Sequence, residues 1–197
     1  LSKLKKAKVS LPGGCVIGVR PVDLHLKGIE SLGADISIES GYVIAKASRL
    51  KGAHIYLGGV YGSSVLSTDN VMMAAVLAQG KTVIEAAACE PEVADLAEFL
   101  NKMGAKIKGQ GTPTLEIEGV KQLRGGTHTV IPDRIEAGTF MVAALITQGD
   151  ILIKNALSQH MGALVDKLKE AGALMSISDS SMRVHRRGRL KPINVTT

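Results

Sequence analysis

The sequence predicts an α/β fold built from a repeated unit, with apolar helices inside and sheets outside. The prediction depends on one phrase that occurs three times, on a second phrase that occurs twice, and on the apolar character of two helices. With 197 residues, of which 45% are hydrophobic, the chain can bury a core without disulfides or a metal.

The first phrase is a helix that closes on Gly-Ala and passes into a strand. Its copies read "GIESLGADISI", "LAEFLNKMGAKIKG" and "LVDKLKEAGALMSI". Their glycines, Gly33, Gly104 and Gly172, lie about 70 residues apart, a period that indicates an internal repeat. The helix of the second copy is amphipathic, with Val93 and Leu100 on its apolar face.

The second phrase is an apolar helix, a glycine and a short apolar strand. It begins at Asp69 in "DNVMMAAVLAQGKTVIEAA" and at Asp133 in "DRIEAGTFMVAALITQGDILIKNA". A helix that is apolar all round must be buried on every side. Each full unit is therefore predicted to contain a strand, a buried helix, a strand, an amphipathic helix and two more strands.

These units predict the domain organisation. Residues 1–191 form most of one domain, with an incomplete unit at 1–48 and further units at 49–122 and 123–191. Because the first unit lacks a strand and a buried helix, we expect its exposed apolar surface to be covered by missing chain or by a partner.

Composition narrows the class of partner. The net charge of +6 suits a site for anions such as phosphates. Tryptophan is absent and aromatic residues make up 3%, so the core is predicted to be aliphatic, and nucleic acid finds no platform of stacking rings. The two cysteines lack zinc-site spacing, which favours reduced thiols in the cytoplasm. No apolar run reaches the length of a membrane span.

One stretch, "LPGGCVIGVRPVDLHLKG", holds a candidate reactive thiol. Gly13 and Gly14 permit a mobile loop before Cys15, and the nearby Arg20 favours the thiolate. A free cysteine is otherwise most often a small buried core residue. The stretch by itself leaves both interpretations open.

Three strings carry a resemblance to a known family: "LPGGCVIGVRPVDLHLKGIESLGA", "EPEVADLAEFLNKMGAKI" and "IPDRIEAGTFMVAA". Together they resemble the UDP-N-acetylglucosamine 1-carboxyvinyltransferases, and the similarity runs almost end to end. The resemblance implies an inside-out α/β barrel of two domains, each of three βαβαββ units. It also implies transfer of the enolpyruvyl group of phosphoenolpyruvate to the 3-hydroxyl of UDP-N-acetylglucosamine, the first committed step of peptidoglycan synthesis, without a metal or organic cofactor.

The resemblance assigns roles to the first string. Cys15 matches the cysteine that protonates the enolpyruvyl methylene, forms a covalent adduct with phosphoenolpyruvate and is alkylated by fosfomycin. The segment from Arg20 through Pro21, Val22 and Asp23 to Leu24 matches the stretch that holds the uridine, with Arg20 also facing the phosphate of phosphoenolpyruvate. If Pro21 opens a helix, the free N–H groups that follow it suit ligand acceptors.

A second segment, "SSVLSTDN", is expected to contact the diphosphate through Ser64 and Val65. Two departures from the family pattern stand beside them: Leu66 replaces a glycine, and the segment around Gly58–Ser63 is about three residues longer than usual. The alternative for this segment is a simple capping turn before a helix at Asp69, with Ser67 or Thr68 as the cap.

Four charged residues match family positions that line the cleft: Glu90, Glu92, Asp133 and Arg134. Acidic residues are also favoured at helix starts by the dipole alone, so this match leaves a structural role open. Cys89 stands where the family usually has arginine.

The family's general base lies in a second domain, to which residues 192–197 are expected to lead. The predicted partners are therefore the two substrates and that domain, and we expect no turnover by this chain alone. A degenerate paralogue that binds nucleotide sugar or a partner without catalysis is the main alternative, favoured by Leu66, Cys89 and the longer segment. A nucleic-acid-processing relative and a shikimate-pathway enolpyruvyl transferase are weaker alternatives, the latter because it lacks the "PGGC" and "RPVDL" strings.

Overall fold

The three copies of the first phrase fold alike, each into a strand, a helix and two further strands. The computed structural model describes residues 1–12 and 21–195. It divides into an N-terminal part, Leu1–Thr129, and a C-terminal part, Val130–Thr197. In chain order the elements are β1 (Lys6–Ser10), α1 (Asp23–Ser31), β2 (Asp35–Glu39), β3 (Tyr42–Lys46), β4 (His54–Tyr56), α2 (Val65–Ala75), β5 (Lys81–Glu85), α3 (Pro91–Lys102), β6 (Lys106–Lys108), β7 (Thr114–Glu118), α4 (Arg134–Ile146), β8 (Asp150–Lys154), a short 3₁₀ helix (Ser158–His160), α5 (Gly162–Glu170), β9 (Ala173–Ile177) and β10 (Ser181–Arg186).

The sheets repeat one topology. Their strand orders are β1-β3-β2, β4-β5-β7-β6 and β8-β10-β9. In each copy the last strand pairs antiparallel with the first strand and with the one before it. β4 joins the second sheet parallel to β5, which makes that sheet mixed. The predicted internal repeat and the α/β fold class are therefore confirmed.

The same glycine ends the helix in each copy. Gly33, Gly104 and Gly172 have φ values of +90°, +102° and +101°, a conformation that glycine adopts without steric cost. The residue after each glycine is an alanine, from which the chain leads into a strand. The repeated Gly-Ala is thus a helix stop.

The second predicted unit is complete, since β4, α2, β5, α3, β6 and β7 give the expected order. The third differs from the prediction, because residues 119–133 contain no strand before α4. Gly125, Gly126 and Pro132 lower the strand tendency of this segment. The segment instead contacts α3, where the N–H of Arg124 bonds the C=O of Met103 at 2.7 Å.

The core is aliphatic, as predicted: among the described residues, no fully buried core side chain is aromatic. In the N-terminal part Leu32, Leu57, Met72, Ile84 and Leu115 lie at its centre. In the C-terminal part a separate cluster surrounds Met141 and Met182.

The two apolar helices are not buried on every side, which differs from the prediction. α4 packs on β8 and β10 but leaves Ile135, Phe140 and Ile146 exposed, and α2 leaves Leu66 and Met73 exposed. The neighbours of α4 include one sheet, and those of α2 include α1, α3 and β7, and neither set covers the whole circumference of its helix. An apolar helix sequence therefore indicates that a helix needs burial but not how much of its surface is buried. None of the helices in the described ranges has the length and apolarity that a membrane span requires.

Candidate functional site

The predicted site residues divide between described and undescribed parts of the chain. Cys15 and Arg20 belong to residues 13–20, which lie outside the described residues. The segment from Pro21 to Leu24 is the first part of the predicted site that belongs to the described residues.

This segment forms the entry to α1. Pro21 and Asp23 are exposed, and Val22 and Leu24 are half-buried. Val22 is the N-cap, with φ −109° and ψ 3°, and its own apolar side chain does not cap the helix. The helix thus begins at Asp23, two residues later than predicted. The N–H of Leu26 bonds the C=O of Val22 at 3.0 Å, so the N–H groups of the first turn have no partner within the helix.

The start of α2 is capped by Ser64. Its Oγ accepts a hydrogen bond from the N–H of Ser67 at 3.3 Å, and its C=O accepts one from Thr68 Oγ1 at 2.9 Å. The helix therefore begins at Val65 and not at Asp69, and neither Ser67 nor Thr68 is the cap. The hydroxyl proton of Ser64 is not used by the cap and can be donated to a ligand oxygen.

The first half of α1 lies beside the second turn of α2. Asn70 Nδ2 donates a hydrogen bond to His25 Nδ1 at 3.2 Å. Burial lowers the pKa of His25, against an opposing effect of Asp23, and the neutral ring that results has the acceptor nitrogen this bond requires. Gly28 lets the helices approach closely, since a Cβ there would overlap Val71.

The segment that leads into α3 meets the first turn of α2. Thr68 is fully buried, and its Oγ1 accepts a hydrogen bond from the N–H of Ala88 at 3.1 Å. Burial and then the charges of Glu92 and Glu90 raise the pKa of Asp69 to about 6. Three carboxyl groups therefore come close together where α2 and α3 begin.

Cys89 immediately precedes this acidic group. It is exposed, and its Sγ lies 3.7 Å from the C=O of Ala87, the acceptor of a weak hydrogen bond. The position faces solvent, and its thiol adds no positive charge beside Glu90.

Asp133 and Arg134 belong to the C-terminal part. Asp133 Oδ1 accepts hydrogen bonds from the N–H groups of Ile135 and Glu136 at 2.8 and 2.9 Å, so this residue is the N-cap of α4. Asp133 and Arg134 line a cavity of about 190 Å³ together with His160. The structural role that the sequence left open for Asp133 is present.

The sequence interpretation missed the residues that connect the site. The sequence pattern did not predict that Thr68 and Asn70 form hydrogen bonds to neighbouring elements, or that Asp69 lies beside Glu90 and Glu92. The signal was a polar run inside an otherwise apolar helix, which indicates partners on neighbouring elements. No set of three or more His, Cys, Asp or Glu within the described residues is arranged to hold a metal.

The family model and the most similar relatives all point to carboxyvinyltransferases. Residues 1–197 match the family described as EPSP synthase (3-phosphoshikimate 1-carboxyvinyltransferase). The chain is 55% identical over its whole length to the UDP-N-acetylglucosamine 1-carboxyvinyltransferase of Methylacidiphilum infernorum, and covers 47% of that protein. It is 56% identical to UDP-N-acetylglucosamine 1-carboxyvinyltransferase 1 of Caldanaerobacter subterraneus subsp. tengcongensis, again covering all of this chain and 47% of the relative. The chain thus spans about half the length of the relatives it matches.

Two solved structures share the fold. The enolpyruvyl transferase NikO from Streptomyces tendae aligns with a TM-score of 0.80 over 97% of this chain and 46% of its own, at 21% identity. EPSP synthase from Acinetobacter baumannii aligns with a TM-score of 0.64 over 100% of this chain and 46% of its own, at 24% identity. At these identities the likeness concerns the fold alone.

Proposed function

The chain belongs to the EPSP synthase family, and from that premise we propose that the protein transfers the enolpyruvyl group of phosphoenolpyruvate to the 3-hydroxyl of UDP-N-acetylglucosamine. The acceptor is suggested by relatives at 52–56% identity, which are named UDP-N-acetylglucosamine 1-carboxyvinyltransferases. A bond forms between the 3-hydroxyl oxygen and C2 of phosphoenolpyruvate while the methylene carbon gains a proton. Loss of phosphate and of a methyl proton then regenerates the double bond.

One structural observation supports this proposal above the others: hydrogen bonds join the first turn of α1 to α2, and the first turn of α2 to the segment that leads into α3. The His25–Asn70 hydrogen bond joins the first helix to the second, and the Thr68–Ala88 hydrogen bond joins the second to the segment before the third. Helix N-termini present N–H donors that suit phosphate groups. This end of the molecule therefore has the donors that a nucleotide diphosphate requires.

We assign the roles as follows. The backbone of Pro21–Leu24 holds the uridine, Ser64 and Val65 bind the diphosphate, and Arg20 binds the phosphate of phosphoenolpyruvate. Cys15 supplies the proton for the methylene carbon, a role that requires a thiol protonated near working pH. Glu90 and Glu92, at the start of α3, help to orient the sugar.

The complete fold belongs to the proposal as well. The repeated sheet topology and the similarity to an enolpyruvyl transferase structure support an inside-out barrel of βαβαββ units. Residues 1–191 then form most of one domain, and a second domain supplies the general base. Both proposed substrates are phosphorylated metabolites and the product is a peptidoglycan precursor, which favours a location in the cytoplasm.

The test combines binding, labelling and turnover. We expect the 197-residue chain to bind UDP-N-acetylglucosamine in calorimetry and to take up a single fosfomycin adduct on Cys15 in mass spectrometry. Cys15→Ser keeps the size of the side chain and removes the thiol, so it should bind the nucleotide sugar but take up no adduct. Absence of nucleotide-sugar binding in the wild-type chain contradicts the proposal.

A second candidate, binding without catalysis, is favoured by one observation. Leu66 directly follows the proposed diphosphate ligands and is 67% exposed. Its side chain therefore fills space beside them that a glycine would leave open. Phosphate release should be absent from the isolated chain in either case, because closed-cleft chemistry needs both domains. A longer protein that includes the second domain separates the two: phosphate release supports transfer, and binding without release supports the second candidate.

A further inference from the structure

The longer segment at Gly58–Ser63 forms a tight hairpin with an apolar tip. Gly59 and Gly62 exchange two backbone hydrogen bonds, of 2.8 Å from the N–H of Gly59 and 3.0 Å from that of Gly62. Gly62 has a φ of +90°, which the turn requires and glycine supplies. The two residues between them, Val60 and Tyr61, are 95% and 96% exposed.

This hairpin stands beside the proposed uridine site. Leu24, in the first turn of α1, lies against Gly59, where a Cβ would come 3.1 Å from Leu24 Cδ1. Lys27 Nζ lies 5.4 Å from the centre of the Tyr56 ring, so α1 also contacts the end of β4, two residues before the hairpin. Two residues after Gly62, Ser64 caps α2. The tip is therefore connected on one side to the proposed uridine ligands and on the other to the proposed diphosphate ligands.

The ring of Tyr61 is accessible at this tip for contact with a ligand. The chain has three tyrosines, two phenylalanines and no tryptophan, and Tyr61 contributes nothing to the core. A tyrosine ring loses little conformational freedom when it is ordered, and stacking of a base on an aromatic ring contributes about 1–3 kcal/mol. We propose that Tyr61 stacks on the uracil ring of the bound nucleotide sugar and sets the preference for a nucleotide over its base-free fragment, an inference that rests on the proposed function.

The experiment measures affinities of the 197-residue chain by calorimetry. Tyr61→Ala should weaken binding of UDP-N-acetylglucosamine about tenfold, while Tyr61→Phe, which keeps the ring, should bind as the wild type does. Tyr42→Ala is the matched control, since it removes a partly exposed tyrosine from β3, outside the proposed site. Because Tyr61 is almost fully exposed, the variant should unfold at the wild-type temperature.

A second ligand isolates the stacking. 5,6-Dihydrouridine diphosphate keeps the hydrogen-bonding edge of the base but lacks a planar ring, so Tyr61→Ala should reduce its affinity less than it reduces that of uridine diphosphate. Equal losses for both ligands, or no loss with Tyr61→Ala, overturn the role of Tyr61 while leaving the proposed function intact. Failure of the wild-type chain to bind either uridine nucleotide contradicts the proposed function itself.

Discussion

The hydroxyl of Thr68 connects α2 to the segment before α3, because its Oγ1 accepts a hydrogen bond from the N–H of Ala88 at 3.1 Å. The same hydroxyl donates to the C=O of Ser64 at 2.9 Å, so its donor and one acceptor position are both used. Since Thr68 is fully buried, water cannot replace either bond. This one side chain fixes the cap of α2 against the segment that leads into α3.

Replacement of Thr68 by valine tests this connection. Thr68→Val keeps the shape but leaves the N–H of Ala88 without its acceptor, and should reduce the free energy of unfolding by about 1–3 kcal/mol. Thr68→Ser keeps the hydroxyl and loses one buried methyl group, which should cost about 1 kcal/mol or less. Urea denaturation measures both values. Equal stability of the valine variant and the wild type would show that the bond does not support the site.

The features of the fold that depend on a local sequence pattern could be predicted from the sequence. The Gly-Ala repeat indicated three copies of one unit, and the copies share a sheet topology. The sequence pattern placed the start of α2 at Asp69, whereas the helix begins at Val65, because a run of four polar residues concealed the first turn. Caps are set by backbone geometry at one residue, and several serines and threonines in a row make that residue ambiguous.

The contacts between elements were not accessible from the sequence. The hydrogen bond between His25 and Asn70 joins residues 45 positions apart, and that between Thr68 and Ala88 spans 20 positions. Neither has a local signal, because both depend on how the helices pack. The burial of α4 was over-predicted for the same reason: apolar composition does not say which neighbour covers which face.

Because α1 and α2 approach closely at Gly28, replacing this glycine by alanine should destabilise the protein. Gly28→Ala would normally favour a helix by about 1 kcal/mol, but its Cβ would overlap Val71 and lie 3.3 Å from Leu57 Cδ2. We expect a net loss of about 1–3 kcal/mol from overpacking, measured by urea denaturation. Val71→Ala in the same chain should relieve the overlap, so the double variant should be more stable than the sum of the single changes predicts.

A control for this substitution lies in the other part of the chain. Gly162 begins α5 and a Cβ there meets nothing within 4 Å. Gly162→Ala should therefore leave stability unchanged or raise it slightly. A loss at Gly162 as large as that at Gly28 would contradict the steric explanation.

Asp69 predicts a pH dependence of stability. Its pKa is raised to about 6 in the folded protein, so between about pH 4 and pH 6 the folded state binds more protons than the unfolded state. The contribution of this group is therefore favourable below about pH 4, falls as the pH rises to 6, and stays unfavourable above it. Asp69→Asn should stabilise the protein at pH 7.5 by about 1 kcal/mol, after allowance for screening at a half-exposed site, and by less at pH 4.5.

The control for Asp69→Asn is the same substitution at an exposed aspartate. Asp179 is exposed in the turn between β9 and β10, and Asp179→Asn should change stability little at either pH. Urea denaturation of the wild type and both variants at the two pH values gives the result. If Asp69→Asn has the same effect at pH 4.5 and 7.5, the ionisation of Asp69 does not carry the effect.

His128 anchors the irregular segment before α4 to α3. Its Nε2 lies 2.9 Å from Asp95 Oδ1, with the two side chains only 7% and 12% exposed, and its ring centre lies 5.2 Å from that of Phe99. Lys102 Nζ lies 3.0 Å from Nδ1. Because an ammonium group only donates, Nδ1 accepts from Lys102, and the ring proton on Nε2 is donated to Asp95.

Loss of this ring should release the segment. His128→Ala removes the ring N–H that is donated to the carboxylate of Asp95 and should cost about 1–3 kcal/mol of unfolding free energy. We also expect faster trypsin cleavage after Lys121 and Arg124, both in the irregular segment, because local opening exposes the backbone there. Lys102→Ala removes only an exposed partner of the same ring and should change both measurements little. Unchanged cleavage in His128→Ala would mean that the backbone hydrogen bonds of Gly119, Val120 and Arg124 hold the segment in place without the histidine.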